Sequence, residues 1–426
     1  MRLPLTLLAT LAIGVAEAQP PSEARRLIGL LGSKDYKERE RASKDLAALG
    51  ERALPELNAA LQQTESPEVQ RRIEVIVDRL KAERLLRPSR VSIDCKGAPF
   101  KAVMADLCKQ AGYEYRDGGY SASTITLKLA DAPFWEAMVK ISELTGVTVV
   151  PTDDEKRSIS AYNNETVNPY NCVSGPFQFT AANINSSRNL QLANLPRRGQ
   201  LTNPEYLGMN VQILAEPKLP IVGVGQVTVL KAVDDKGSSL VPPPESDDDR
   251  RSTRFYVQNN YRSLNQSCGL NLHRGNREAT TIKELHAKVA LAVLVEVRPE
   301  ITVENILKAK KQKFAGGDLD MEIAEVTEAA GVVGLKLIFR QRVANPDDYG
   351  WSYSIAQRLD LLDDKGNKLV STGVSEQNND VGILSIRIGF AAATGQKAGK
   401  PAKLILNEWI TQTREVEFKF KNIPLP

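Results

Sequence analysis

The chain has 426 residues, of which 25% are charged and 42% are hydrophobic, and its formal net charge is +4. This length predicts about three domains, each able to bury a core of its own. Basic and acidic residues are interleaved along the whole chain, which favours a solvated surface over a nucleic-acid-binding or lipid-binding patch.

Residues 1–18 contain one basic residue, Arg2, an apolar run and a small-x-small end at Ala16-Glu17-Ala18. This pattern is typical of a cleaved export signal, and its apolar run is too short to span a bilayer; the alternative is a retained N-terminal anchor. The longest later apolar runs, Ile221–Leu230 and Val289–Val297, have the length of strands. We therefore expect an exported protein, periplasmic or extracellular, with no integral membrane segment after cleavage.

Residues 22–87 are predicted to be helical. Gly50 ends one apolar periodicity, and Ser66-Pro67-Glu68 has the features of a capped helix start. The string ERASKDLAALGERALPELNAAL, followed by SPEVQRRIEVIVDRL, resembles a HEAT-type helical repeat. The resemblance covers about one and a half repeats, whereas a solenoid needs roughly three, so we expect a small helical bundle or a segment docked on a neighbour.

Residues 91–161 contain one short β-α-β unit twice. An alternating strand leads through Ala98-Pro99 into an apolar helical stripe that stops at Gly112, and Ala132-Pro133 and Gly146 occupy the same places in the second copy. Proline is tolerated in the first turn of a helix, and glycine favours the left-handed conformation that ends one.

The two halves VSIDCKGAPFKAVMADLCKQAG and ITLKLADAPFWEAMVKISELTG resemble the short N-terminal domain of secretins and of TonB-dependent receptors. The resemblance covers about a sixth of the chain and implies a docking or signalling module of a bacterial envelope, without enzymatic activity. No series of amphipathic strands of about ten residues follows, as a pore or receptor barrel would need.

From residue 162 onward, alternating strand-like runs are separated by Gly, Pro, Asn and Asp clusters. VTVLKAVDDKGSSLV (227–241) parallels AQRLDLLDDKGNKLV (356–370), and RPEITVENI (298–306) parallels TREVEFKFKNI (413–423). This duplication predicts two tandem β-sandwich domains, 163–300 and 301–426. The whole chain is thus interpreted as multidomain α+β: a helical segment, a βαβ-βαβ module and two β-sandwiches.

The four cysteines permit two disulfides in an exported chain. We favour the pairs Cys95–Cys108 and Cys172–Cys268, because each pair lies inside one predicted domain; buried free thiols are the alternative. The cysteine spacing fits no zinc site, and His273 and His286 are the only imidazoles. No cofactor is expected.

Other motifs are better explained by structure than by chemistry. The two Asp-Asp-Lys-Gly stretches, 234–237 and 363–366, are interpreted as hairpin turns and not as calcium loops. Cys268 with His273 or His286 lacks an orienting third group, so we interpret them as loop and core residues. Alternating aromatics are interpreted as core; they are Tyr162, Tyr170, Phe177, Phe179, Phe255, Tyr256 and Tyr261.

The function expected from the sequence is docking of another envelope protein by a non-enzymatic exported protein. Its predicted contact surfaces are a strand edge of 91–161 and the loops 241–252 and 395–403. The alternative is a cell-surface glycan-binding or adhesive protein that uses aromatics of the first sandwich.

Overall fold

A computed structural model of the chain describes residues 22–119, 124–153, 157–163, 167–188, 205–242, 261–274, 276–343, 350–395, 397 and 399–426. The fold is α+β: N-terminal helices, then a mixed region, then large antiparallel sheets that make the protein mostly strand. The predicted export signal, 1–18, lies outside the described residues. Two compact units divide at residue 84/85.

The first unit is helical, in agreement with the sequence. Four helices share a core that includes Leu27, Leu46, Leu57 and Ile73. Asp35 caps the second helix by accepting the backbone N–H of Lys37. The helices are α1 (Glu23–Leu30), α2 (Tyr36–Leu49), α3 (Leu54–Gln63) and α4 (Pro67–Leu86).

The second unit begins with the doubled module, which we call the 90–163 module. Gly112 and Gly146 end its helices in the left-handed conformation, as predicted, while Pro99 and Pro133 directly precede the first helical residues. The module contains β1 (Arg90–Pro99), α5 (Phe100–Ala111), β2 (Glu114–Asp117), β3 (Thr124–Pro133), α6 (Phe134–Thr145), β4 (Val147–Thr152) and β5 (Ser158–Asn163). A two-stranded sheet, β1-β3, and a three-stranded sheet, β2-β5-β4, enclose one core with both helices.

A four-stranded sheet in the order β10-β8-β7-β6 and a nine-stranded sheet form the rest of the chain. The four-stranded sheet comprises β6 (Asn171–Ser174), β7 (Phe177–Arg188), β8 (Glu205–Ala215) and β10 (Asn265–His273). The other strands are β9 (Ile221–Asp234), β11 (Thr281–Glu304), β12 (Gln312–Ala315), β13 (Leu319–Ala329), β14 (Val332–Gln341), β15 (Leu359–Asp363), β16 (Lys368–Asp380), β17 (Ile383–Ala391) and β18 (Pro401–Pro424), with a short helix α7 (Trp351–Ser354). The nine-stranded order is β12-β13-β14-β17-β16-β15-β18-β11-β9.

These sheets enclose two cores. The first β core joins inward residues of the four-stranded sheet, such as Phe179 and Val211, to Val289 of β11 and Phe418 of β18. The second β core contains Ile301 from the end of β11 and Leu404 from the start of β18, together with residues of β13 to β17. The cores therefore contain different parts of the same two strands.

The two long strands pass from one core to the other. β11 and β18 each have 24 residues and pair antiparallel from Thr281↔Pro424 to Glu304↔Lys403. The predicted boundary falls inside β11. Residues 411–424, assigned by sequence to the second domain, pair with the start of β11 and help to enclose the first β core.

Candidate functional site

A buried polar cluster joins the 90–163 module to the first β core. Glu216 lies in the turn between β8 and β9 and is 0% exposed. Its carboxylate accepts the Tyr113 hydroxyl at 2.6 Å and the backbone N–H of Ser89 at 3.0 Å. The ammonium of Lys218 lies 3.2 Å from Oε2 of the same carboxylate. We call this group of residues the polar joint.

Local structure explains why the carboxylate is held in this place. Glu216 donates its backbone N–H to the carbonyl of Pro176, and its own carbonyl accepts the N–H of Leu219, which closes the turn. The indole of Trp135, on α6, donates to the same Pro176 carbonyl at 3.1 Å. The module helix and the β8–β9 turn are therefore both fixed to one short segment between β6 and β7.

Lys218 and Tyr113 both make several polar contacts within the polar joint. Lys218 Nζ lies 3.1 Å from Ser89 Oγ, which is a distance suited to a base and a nucleophile. The same ammonium also contacts the Glu216 carboxylate and donates to the Arg87 carbonyl at 2.6 Å, so these contacts together hold the Lys218 side chain in place. Burial, with the neighbouring Glu216 carboxylate, raises the pKa of Tyr113, which keeps its hydroxyl protonated as a donor.

Sequence reasoning missed the polar joint. The segment around Glu216 matches no motif, and its partners Ser89 and Tyr113 lie more than a hundred positions away. One signal was present: Glu216 and Lys218 interrupt an otherwise apolar and proline-rich run, ILAEPKLPIV, between two strands. A charged pair inside such a run indicates a buried partner.

The two-stranded sheet of the module has edges of unequal character. On β1, the side-chain amide of Gln110 accepts the backbone N–H of Ser92 and donates to its carbonyl, both at 2.9 Å, so this edge is already capped. β3 pairs with β1 from Thr124 to Pro133, and among the described residues neither strand has a second ladder partner, so the two outer edges differ at Ser92, whose backbone groups are bonded to Gln110. Ile125 and Leu127 of β3 face the module core, while Lys128 is exposed.

The structure places the four cysteines as free thiols. Cys108 is in the core of the module and Cys95 packs against that core, whereas Cys172 and Cys268 lie on β6 and β10, the opposite edges of the four-stranded sheet. Three strand spacings of about 4.8 Å separate those edges, beyond the roughly 7 Å limit for a disulfide. The favoured pair Cys172–Cys268 is not brought together. Burial raises the pKa of Cys108 and Cys268 to about 12, and these thiols are unreactive.

The histidines are not brought together with a cysteine nucleophile either. His286 Nε2 lies 2.7 Å from Oε2 of Glu417 across the β11–β18 ladder, on the side of that sheet opposite the core. His273 is exposed at the end of β10, and Cys268 faces the first β core.

Two of the sequence-selected aromatics are core residues, as predicted. Phe177 and Phe179 are buried, and Phe179 stacks on Phe418 with 4.7 Å between the ring centroids. Tyr162 and Tyr261 are exposed on different elements. Phe255 and Tyr256 lie outside the described residues.

Both Asp-Asp-Lys-Gly stretches form the predicted turns, with matching hydrogen bonds. Asp234 Oδ1 accepts the backbone N–H groups of residues 236 and 238, and Asp363 Oδ1 accepts those of 365 and 367. The second aspartate of each turn, Asp235 or Asp364, binds the residues that precede β11 or β18. These carboxylates act as acceptors for the chain itself, which is the role of a turn residue.

The predicted contact loops are only partly described. Of 241–252, residues 241 and 242 are described; of 395–403, all but 396 and 398 are. Gly399 donates its N–H to Asp363 Oδ2, and a Cβ at residue 399 would lie 2.7 Å from that oxygen, so glycine is required there. The end of this loop is thus bound to its own turn.

An open cavity of about 480 Å³ lies beside β6 and β7. Residues that line it include Tyr170, Met209, Ile423, Asn168 and Asn183. The Asn168 side chain is already occupied, because it donates to the Ala181 carbonyl and accepts the N–H of Tyr170.

Comparison of the chain with protein-family models, with curated proteins and with solved structures gives no match. Among the described residues, no three His, Cys, Asp or Glu side chains cluster as a metal site would require. The described helices include none with the length and apolarity needed to cross a bilayer.

Proposed function

We propose that this is a non-enzymatic, exported envelope protein that docks another envelope protein by strand addition to the outer edge of β3. In the domain organisation that we propose, the HEAT-like segment and the secretin-like and TonB-like module precede two β-sandwich lobes built on the first and second β cores. The observation that carries the docking proposal is the difference between the two edges of the β1–β3 sheet.

The chemistry of the β3 edge suits a partner strand. An unpaired edge presents N–H and C=O groups at alternate residues, and an added strand satisfies them while its side chains enter neighbouring pockets. Ser92 directs its backbone groups outward to Gln110, so alternation along β1 turns Ile93 toward β3 and its partner Leu129 toward β1. Lys128, one position earlier, then directs its N–H away from the sheet.

The polar joint supports the same proposal. A docking module can hold a bound partner in a defined position only if the module itself is fixed to the rest of the protein. Glu216, Tyr113 and Trp135 hold this module to the first β core through hydrogen bonds from three separate segments.

The experiment compares Lys128→Pro with Lys128→Ala in the full mature chain, residues 19–426. Both substitutions remove the Lys128 charge and its ion pair with Asp94, but only proline also removes the outward backbone donor, without removing a β1–β3 backbone bond. We expect the wild type and Lys128→Ala to capture the same protein from an envelope extract of the source organism, and Lys128→Pro to lose it at unchanged thermal stability. Equal capture by all three contradicts strand addition, and loss in both variants assigns the contact to the charge instead.

A further inference from the structure

The outer face of the four-stranded sheet carries no charge over ten neighbouring positions. On β10, Cys268, Leu270 and Leu272 point into the first β core, so Ser267, Gly269 and Asn271 lie on the opposite face. The strand register places residues of β8, β7 and β6 next to these three, on the same outer face of the sheet. We call the set the neutral face: Asn171, Thr180, Asn183, Asn185, Gly208, Asn210, Gln212, Ser267, Gly269 and Asn271.

Asparagine amides surround two glycines within the neutral face. Asn183 lies opposite Asn210 in one row, and Asn185, Gly208 and Asn271 follow one another in the next. Space above Gly269 is open, since a Cβ there would meet no atom within 4 Å. Gly269 therefore leaves backbone accessible beside these amides, whereas Gly208 is buried.

These amides have unused hydrogen-bonding capacity. In the described part of the chain, no side-chain hydrogen bond engages Asn183, Asn185, Asn210 or Asn271, although Gln212 donates to Asn265. Each amide offers two donors and one carbonyl acceptor in a fixed plane. Asn183, Asn185 and Asn271 are exposed.

The opposite side of the same core shows a different surface. The outer face of β9, β11 and β18 carries cross-strand ion pairs, Lys231–Glu284 and Lys288–Glu415 among them. Interspersed charges of both signs are the usual solution for a sheet face in contact with water. The neutral face departs from that pattern on the same core, so hydration alone does not account for its composition.

We infer that the neutral face binds an uncharged, hydroxyl-rich polymer, that is, a neutral polysaccharide. An asparagine amide can donate to one sugar hydroxyl and accept from its neighbour, and the open space above Gly269 allows a ring to approach the backbone. A polyanion would require cationic side chains. A protein interface would be enriched in aromatic residues, Met and Arg. The neutral face has none of these, and the inference stands independently of strand docking at β3.

Native affinity electrophoresis of the mature chain tests this inference. The gels contain dextran, mannan, galactomannan or glycol chitin, with alginate as the anionic control. We expect retardation on at least one neutral polymer and none on alginate. No retardation on any neutral polymer, or retardation on alginate alone, overturns the inference.

Variants locate the binding face. The double variant Asn183→Ala/Asn271→Ala should weaken retardation at least tenfold. Gly269→Arg should abolish retardation by filling the open space above residue 269. Lys288→Gln, on the charged face, is the matched control and should bind like the wild type, as should Lys128→Pro. Each variant must melt within a few degrees of the wild type. Unchanged binding by both neutral-face variants, or equal loss in Lys288→Gln, overturns the assignment.

Discussion

The two β cores use the same turn and the same pair of long strands, yet their surroundings differ. Each core contains one Asp-Asp-Lys-Gly turn, one end of β11 and one end of β18. The first β core alone is joined to the 90–163 module through Glu216 and bears the neutral face. The two cores therefore share the chemistry of a turn and of two strands, whereas their exposed surfaces differ.

The largest expected effect tests whether the cores are one cooperative structure. Phe418→Ala removes a buried ring stacked on Phe179 and should lower the free energy of unfolding by about 3–5 kcal/mol. Hydrogen exchange should accelerate in the second β core as well as the first, because β18 belongs to both. Acceleration confined to the first β core would show that the shared strands do not couple them.

The next effect concerns the joint that only the first β core has. Tyr113→Phe removes a hydrogen bond to a buried carboxylate and should destabilise by about 1.5–3 kcal/mol in denaturant unfolding. Tyr115 provides the matched control, because its buried hydroxyl has no hydrogen-bond partner among the residues that the structure describes. Tyr115→Phe should be neutral or stabilising; equal losses in both variants would contradict a special role for the Glu216 contact.

A pH titration examines the turn of the second β core. Hydrogen bonds from Asn367 and from the backbone N–H groups of 365, 367 and 399 lower the pKa of Asp363 from 3.8 to about 2. Its stabilising effect is present above pH 3.8 and is lost as the pH falls through about 2. Asp363→Asn should be less stable at pH 7, and its difference from the wild type should shrink between pH 4 and pH 2. A constant difference over that range contradicts this account.

The smallest expected effect comes from exchanging Ser238 and Asn367, which occupy matching positions in the two turns but differ in their contacts. Asn367 Nδ2 donates to Asp363 Oδ2 at 3.0 Å, whereas the buried Asp234 Oδ2 has no hydrogen-bond partner in the described structure and Ser238 stands at the matching position. Ser238→Asn should supply the missing donor and stabilise by about 0.5–1.5 kcal/mol, and Asn367→Ser should destabilise by a similar amount. Thermal melting of both variants measures these changes. A lower melting temperature for Ser238→Asn, or a higher one for Asn367→Ser, contradicts the account.

Local features of the fold were predictable because they depend on residues close in sequence. The repeated proline, apolar stripe and glycine gave both helices of the 90–163 module, and Asp-Asp-Lys-Gly gave both turns. Asn305 and Asn422 are the penultimate residues of the two similar stretches 298–306 and 413–423, and both adopt the left-handed backbone conformation. The sequence similarity between the two copies is thus matched in their backbones.

Features that depend on distant partners were not predictable in the same way. The pattern of alternation in β11 shows which face is buried, but does not indicate that Val289 belongs to one core and Ile301 to the other. The pair Cys172–Cys268 was favoured because both residues fall inside one predicted domain, whereas strand order places them at opposite edges of the four-stranded sheet. The polar joint and the neutral face likewise exist only once the strands are assembled.

Because β11 and β18 contribute to both cores, the order in which the strands are synthesised limits when the first β core can form. Ile282, near the start of β11, pairs with Ile423, and Phe418 and Phe420 enclose the first β core. That core therefore stays incomplete until β18 has been synthesised, although most of its other strands emerge far earlier.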